Sequence, residues 1–184
     1  MKLLFTIAVS LFIAIAAFAQ EADNLIQSPA TSFVVNNNGD TNDANIYDNV
    51  CSDAAGNCTL RAAIQQANTL AGNDTITFAL TTPATINLFS QLSISQSVTI
   101  TGPGARNLTV QRNASVAVSR IFNIQQFAVA TVNISGVTIA NGKVISDHGG
   151  GIRSESGNTL NLSEVIVRDN TAEFGAGFFQ LRRA

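Results

Sequence analysis

Any chemistry in this chain has to come from few side chains. The one histidine, His148, sits in Asp147-His148-Gly149, a glycine-rich corner where a lone histidine is more often a surface turn residue than a catalytic one. Glu155, Glu164, Asp169 and Glu173 could supply the two facing carboxylates of a glycoside hydrolase, but sequence alone does not pair them. Asp147 and Asp169, with Arg153 or Arg168, could supply the cation-binding acid and the base of a lyase. These four do not line up in one column of the repeat described below, so solvated outer-face charge is the simpler reading of them.

A second concentration of polar groups lies between Asn36 and Asn57. Asp40, Asn42, Asp43, Asp48 and Asp53 offer hard oxygens over a short span, which makes calcium a candidate ligand at Asp40, Asp43, Asp48 and Asp53; no other cofactor is implied. The spacing is not that of an EF-hand, and Asx-turns held by their own hydrogen bonds account for the same residues. Cys51 and Cys58 favour a disulfide over a metal site, because the chain carries an export signal and zinc would want four ligands. Two reduced, partly buried thiols are the alternative.

The export signal is read from Met1-Lys2, the apolar run Leu3 to Phe18, and Ala17-Phe18-Ala19 before Gln20. Residues 1–19 are expected to be cleaved, with residues 20–32 a linker, so the mature protein is secreted or held at the cell surface or outer membrane. The run is shorter than the roughly 20 residues that span a bilayer, and no second one follows, so no transmembrane helix is expected in the mature chain. Charged residues make up 12%, the net charge is −2, and Lys2 and Lys143 are the only lysines. No basic patch is available for a phosphate backbone, which argues against nucleic acid as a partner.

Helical spacing of Leu60, Ala63, Ile64, Ala67 and Leu70 predicts one helix over about 59–71, with Thr59 as N-cap and Gly72 as its stop. Arg61 falls in the first turn, where the helix dipole disfavours a cation, so it needs an acidic partner among Asp40, Asp43, Asp48 and Asp53. From Asp74 onward the pattern changes to short alternating segments such as Thr75 to Phe78, Leu92 to Ile94 and Phe122 to Ile124. Thr131 to Gly142 aligns without gaps on Thr159 to Asn170, an offset of 28 residues. In both copies the apolar alternation skips a step between the second and third inward residues (Ile134 to Val137, Leu162 to Val165), which marks a corner.

A strand, a corner, another strand and a return at fixed period describe a solenoid, in which each coil buries its apolar face against the next. The fold expected is therefore all-β, a parallel β-helix over residues 75–184 behind a helix-and-disulfide cap region at 33–74. Asn133 should stack on Asn161, Ser135 on Ser163, and Ile152 on Phe178 as a third face. A β-sandwich would need close antiparallel turns, and the repeated region has one Asn-Gly pair, Asn141-Gly142. The chain stops at Leu181-Arg182-Arg183-Ala184, just after the apolar pair Phe178-Phe179, and the last coil is expected to be unfinished, part of a longer protein.

Phe33-Val34-Val35, the Asp/Asn loop, and the run from Asp53 through Cys58-Thr59-Leu60-Arg61-Ala62-Ala63 to Asn68 closely resemble the CSLREA domain. That domain opens bacterial exported right-handed parallel β-helix proteins, including ones similar to polymorphic outer-membrane proteins. Ile100 to Gly104, Arg120 to Ile124, Val132 to Ile139 and Gly149-Gly150-Gly151-Ile152 look like the coils that follow it. The resemblance implies a right-handed, pectin-lyase-like solenoid whose N-terminal end is closed by the helix and its disulfide-bonded loop, with Leu60, Ile64 and Leu70 over the first coil. Ala62 departs from the family's glutamate, removing the reciprocal bond of a capping box, at a cost of about 0.5–1 kcal/mol.

The function expected is an exported, non-enzymatic scaffold for adhesion, surface display or glycan binding, with glycans or cell-surface components as partners. The alternative is a polysaccharide-active β-helix enzyme. Asp147-His148-Gly149 is similar to the Gly-His-Gly segment of polygalacturonase-like enzymes. The Asn-Thr-Asp, Asp-Asp and Arg-Ile-Lys segments those enzymes share are missing here.

Overall fold

The computed structural model describes residues 29–125 and 129–181. The expected signal segment 1–19 and the linker up to residue 28 lie outside the described residues. In chain order the first strands are β1 (Ser32–Val35), β2 (Asp74–Phe78), β3 (Ala84–Leu88) and β4 (Leu92–Ile94), with the one helix among the described residues, α1 (Leu60–Ala67), between β1 and β2. There follow β5 (Val98–Thr101), β6 (Leu108–Arg112), β7 (Phe122–Ile124), β8 (Thr131–Ser135) and β9 (Thr138–Ala140). β10 (Ile152–Ser154) completes the third coil, and the last coil adds β11 (Thr159–Ser163), β12 (Ile166–Arg168) and β13 (Phe178–Gln180).

These strands form three parallel sheets, ordered β1-β2-β5-β8-β11, β3-β6-β9-β12 and β4-β7-β10-β13. From β2 onward the chain visits the three sheets in rotation, giving a parallel β-helix of about four turns. The repeat fixes the register: Thr131 to Ser135 lie opposite Thr159 to Ser163, and Ile152 lies opposite Phe178. Asn161 donates to Asn133 at 2.8 Å, and Asn133 in turn to Thr99 at 3.1 Å, so the expected ladder reaches one coil further back. The skipped step is a corner at Gly136, whose φ is 64°. A Cβ there would come within 2.5 Å of the Gly102 carbonyl oxygen, so only glycine fits between these two coils.

Inward residues stack as columns, among them Ile76-Ile100-Ile134-Leu162 and Ile86-Val110-Ile139-Val167. The first three members of each column are buried. The fourth is covered on one side only, and Leu162 is 37% exposed. Each fully buried aliphatic side chain contributes about 1.5–3 kcal/mol of transfer free energy, and the buried ones in these columns belong to the first three coils.

Two expected boundaries move. β1 pairs along its whole length with β2, Ser32 opposite Thr75 through Val35 opposite Phe78, so the solenoid begins before the cap. The cap is an insertion between two strands of one sheet and not a separate region ahead of residue 75. The helix ends at Asn68, not near residue 71, and Gly72 (φ 123°) lies in a bend beyond it. The helix stops because Asn68 grips strand β4: its side chain donates to the Ser93 carbonyl at 2.8 Å and accepts from the Ser95 N–H at 2.8 Å. Thr59 is the N-cap as expected, its Oγ1 accepting from the Ala62 N–H at 3.1 Å. Ala62 is fully buried, so a glutamate there would carry a carboxylate into the packed face.

The cap closes the open strand edges with side chains. Asn38 donates to the Thr85 carbonyl on β3, Asp40 accepts from the Phe89 N–H, and Arg61 donates to the carbonyls of Ser90 and Gln91. Beneath these contacts Leu60, Ala63, Ile64 and Ala67 join the solenoid core, with Leu70 partly buried against it. An exposed parallel edge would otherwise present both unpaired backbone and apolar surface to other chains. Among the described residues no helix is long and apolar enough to cross a membrane, which says nothing of β-barrels.

Candidate functional site

The expected disulfide joins Cys51 to Cys58, with Cα atoms 5.0 Å apart. It closes residues 51–58, and Asx-turns recur in this segment and just ahead of it: Asp43, Asn45, Asp48 and Asp53 each accept from the N–H two residues on. The four candidate calcium carboxylates do not converge as a set. Asp40 leaves the loop to form a two-pronged ion pair with Arg61. Asp53 accepts from Thr41, from the Asn57 and Ala55 N–H groups and from the Asn57 side chain. Asp43 and Asp48 do meet, both at the buried side-chain amide of Gln66.

The hydrogen bond from Thr41, with those from Asn57 and Ala55, pulls the Asp53 carboxyl down from 3.8 to about 2 against the opposing effect of burial. A depressed carboxyl stabilises the folded loop above the unfolded-state value, and that contribution is lost as pH falls from about 3.8 through about 2. Carboxyl chemical shifts should place the Asp53 midpoint near 2, and amides of residues 53–57 should exchange faster below it. A midpoint near 3.8 would remove Asp53 as the organiser of this turn.

The other candidates separate on the solenoid flank. Asp147 takes the Arg120 guanidinium and the His148 N–H, while Arg153 lies 3.7 Å from Asp147 and 2.6 Å from Glu155. Arg153 thus brings Asp147 and Glu155 to one place. Asp169 pairs with its neighbour Arg168 on another sheet, and Glu173 meets Asp147 only through backbone. His148 stacks on Phe174, ring centroids 5.1 Å apart, and tilts against Phe179 at 4.3 Å. Burial pushes Asp147 up, but the His148 N–H and the Arg120 and Arg153 cations outweigh it and hold the carboxyl below its ordinary value. Asp147 is therefore an ionised, paired carboxylate near neutral pH, suited to orienting a ligand hydroxyl more than to donating a proton.

Beside this cluster runs a groove of about 370 Å³, built by the connections from the second to the third sheet. The first connection, residues 89–91, is shorter than the later ones, 113–121 and 141–151, and all three supply lining residues. The later ones are knit together by backbone bonds, Lys143 N–H to the Ser119 carbonyl at 2.9 Å and Val144 N–H to that of Thr171 at 3.0 Å. Each connection exposes one large apolar side chain: Phe89 (59%), Val118 (46%), Ile145 (69%) and, in the fourth coil, Phe174 (55%). The first three line the groove with Gln91, Arg120 and Asp147.

Sequence reasoning missed this stripe, although its members lie 29, 27 and 29 positions apart. The signal is an isolated apolar residue in each polar connection, and unequal connection lengths mask it. Comparison of the chain with protein-family models, with curated protein sequences and with solved structures found no match.

Proposed function

We propose that this chain is an exported, non-catalytic β-helix scaffold of the CSLREA kind whose flank binds glycan. The observation that carries the reading is the axial stripe of one exposed apolar side chain per coil, beside polar groups whose charges are already compensated. A linear sugar polymer presents the matching surface: C–H faces pack on Phe89, Val118 and Ile145, and hydroxyls reach Gln91 and the Asp147 carboxylate. Arg120 is spent on Asp147 and on the His148 carbonyl, so an acidic sugar finds no free cation there, and the ligand class is a neutral polysaccharide.

Expression of the full chain in a bacterial host should yield protein outside the cytoplasm beginning near Gln20. That protein should be retained on an immobilised neutral polysaccharide such as cellulose, chitin or a glucan. Phe89→Ser and Ile145→Ser, both at exposed positions, should weaken retention about tenfold, equivalent to about 1.4 kcal/mol. Retention unchanged by either substitution would remove the groove as the binding face, and a purely cytoplasmic product would remove the export reading. A polysaccharide-active enzyme is the second reading, favoured by Asp147 on the groove and Glu155 joined to it through Arg153. It would release new reducing ends, and Glu155→Gln would abolish that release.

A further inference from the structure

We propose that the cap loop is a calcium site built around the position that the Gln66 side-chain amide occupies. Four oxygens close on Gln66 Nε2: Asp43 Oδ1 at 3.0 Å, the Asn45 carbonyl at 2.9 Å, Asp48 Oδ1 at 3.1 Å and the Val50 carbonyl at 3.0 Å. An amide nitrogen has two hydrogens for these four oxygens, two of which are carboxylates; Asp43 Oδ1 and Asp48 Oδ1 also accept the Asn45 and Val50 N–H groups of their Asx-turns, and the Asn45 carbonyl accepts the Asp48 N–H at 3.3 Å. The other end of the same amide is unsatisfied. Gln66 is fully buried and its Oε1 has no hydrogen-bond partner. Four oxygens, two of them carboxylate, converging at about 3 Å on one point beside a buried amide oxygen that lacks a donor make an arrangement that a hard cation fits.

Calcium binds carboxylate and carbonyl oxygens at about 2.3–2.6 Å, so the shell needs to contract by roughly half an ångström. The Gln66 amide withdraws and turns, and its Oε1 becomes a fifth ligand, water completing the coordination. The all-oxygen set on an adaptable loop suits calcium better than magnesium, which demands closer, near-octahedral geometry. The loop is already shaped for this: Asn49 holds a left-handed φ of 62° between Asp48 and Val50, and the Cys51–Cys58 bridge follows at once. Asp40 and Asp53 take no part, so the four-carboxylate set expected from sequence reduces to two acids, two carbonyls and a buried amide. The site is independent of any glycan bound on the flank.

The chain carries its own reporter, since Tyr47 is its only tyrosine, there is no tryptophan, and Tyr47 lies within the loop between Asn45 and Asp48. Terbium added to the disulfide-intact protein should luminesce on excitation of Tyr47. Calcium should displace it with half-effect at roughly 0.1–1 mM, the range of extracellular calcium modules. Asp48→Asn should weaken that competition about tenfold or more. Gln66→Glu supplies the decisive contrast: in chelator it should melt below the parent, because a third carboxylate joins two others, and in millimolar calcium it should melt above it. Luminescence that is absent, or that calcium does not displace, overturns the proposal. So does Gln66→Glu destabilised equally with and without calcium, which would make the amide the permanent anchor of the loop.

Discussion

Arg61→Met should lower the unfolding free energy by about 3–5 kcal/mol, because it removes one partner of a buried ion pair and leaves the other charge behind. The Arg61 side chain is 11% exposed and that of Asp40 only 2%. Two N–H···O bonds, at 2.8 and 3.1 Å, join them. Methionine keeps most of the packing volume, so the loss reports the charge and the hydrogen bonds. It also strips the Ser90 and Gln91 carbonyls of their donors and leaves Asp40 with only the Phe89 N–H there. The damage should therefore begin at the capped end, with amides of β3 and β4 exchanging faster. Adding Asp40→Asn, which retains an acceptor for Phe89, should restore part of the stability. Urea unfolding measures both variants, and a loss below about 1 kcal/mol for Arg61→Met would show that the pair merely decorates the cap.

Phe122→Ala should cost about as much, roughly 3–5 kcal/mol, through lost transfer free energy and the cavity left in the middle of the third sheet. Phe122 is 1% exposed and sits in the column Leu92-Phe122-Ile152-Phe178, with a coil stacked on each side. Phe178 in the same column is 40% exposed, and Phe178→Ala should cost about 1 kcal/mol or less. The two substitutions delete the same atoms from the same column. Their difference measures what stacking on both sides adds, and equal losses would contradict the picture of a core held between successive coils.

The parts of the fold legible from sequence were those with a period. The 28-residue offset placed Asn133 on Asn161, and the skipped alternation located the corner that Gly136 turns. Cysteine count and compartment pointed to the disulfide that forms between Cys51 and Cys58. What escaped depends on contacts with no period. Gly72 was the natural helix stop by residue type, but Asn68 ended the helix earlier by bonding to β4, 25 residues away. Arg61 had four equivalent acidic candidates, and only the docking of the cap on the first coil chose Asp40. Gln66 lay off the apolar face and had no reason to be singled out. It is buried because the loop 43–50 folds over a second side of the helix, which an amphipathic pattern does not encode.

The backbone hydrogen bonds of all three sheets point along the solenoid axis, from each coil to the next. Tension applied along that axis is therefore shared among the bonds of three strand pairs at each junction, whereas a force that peels one strand sideways meets them one after another. The molecule should resist stretching far better than unzipping. Within the cap the Cys51–Cys58 bridge also keeps seven residue steps, roughly 20 Å of extended chain, from paying out under load.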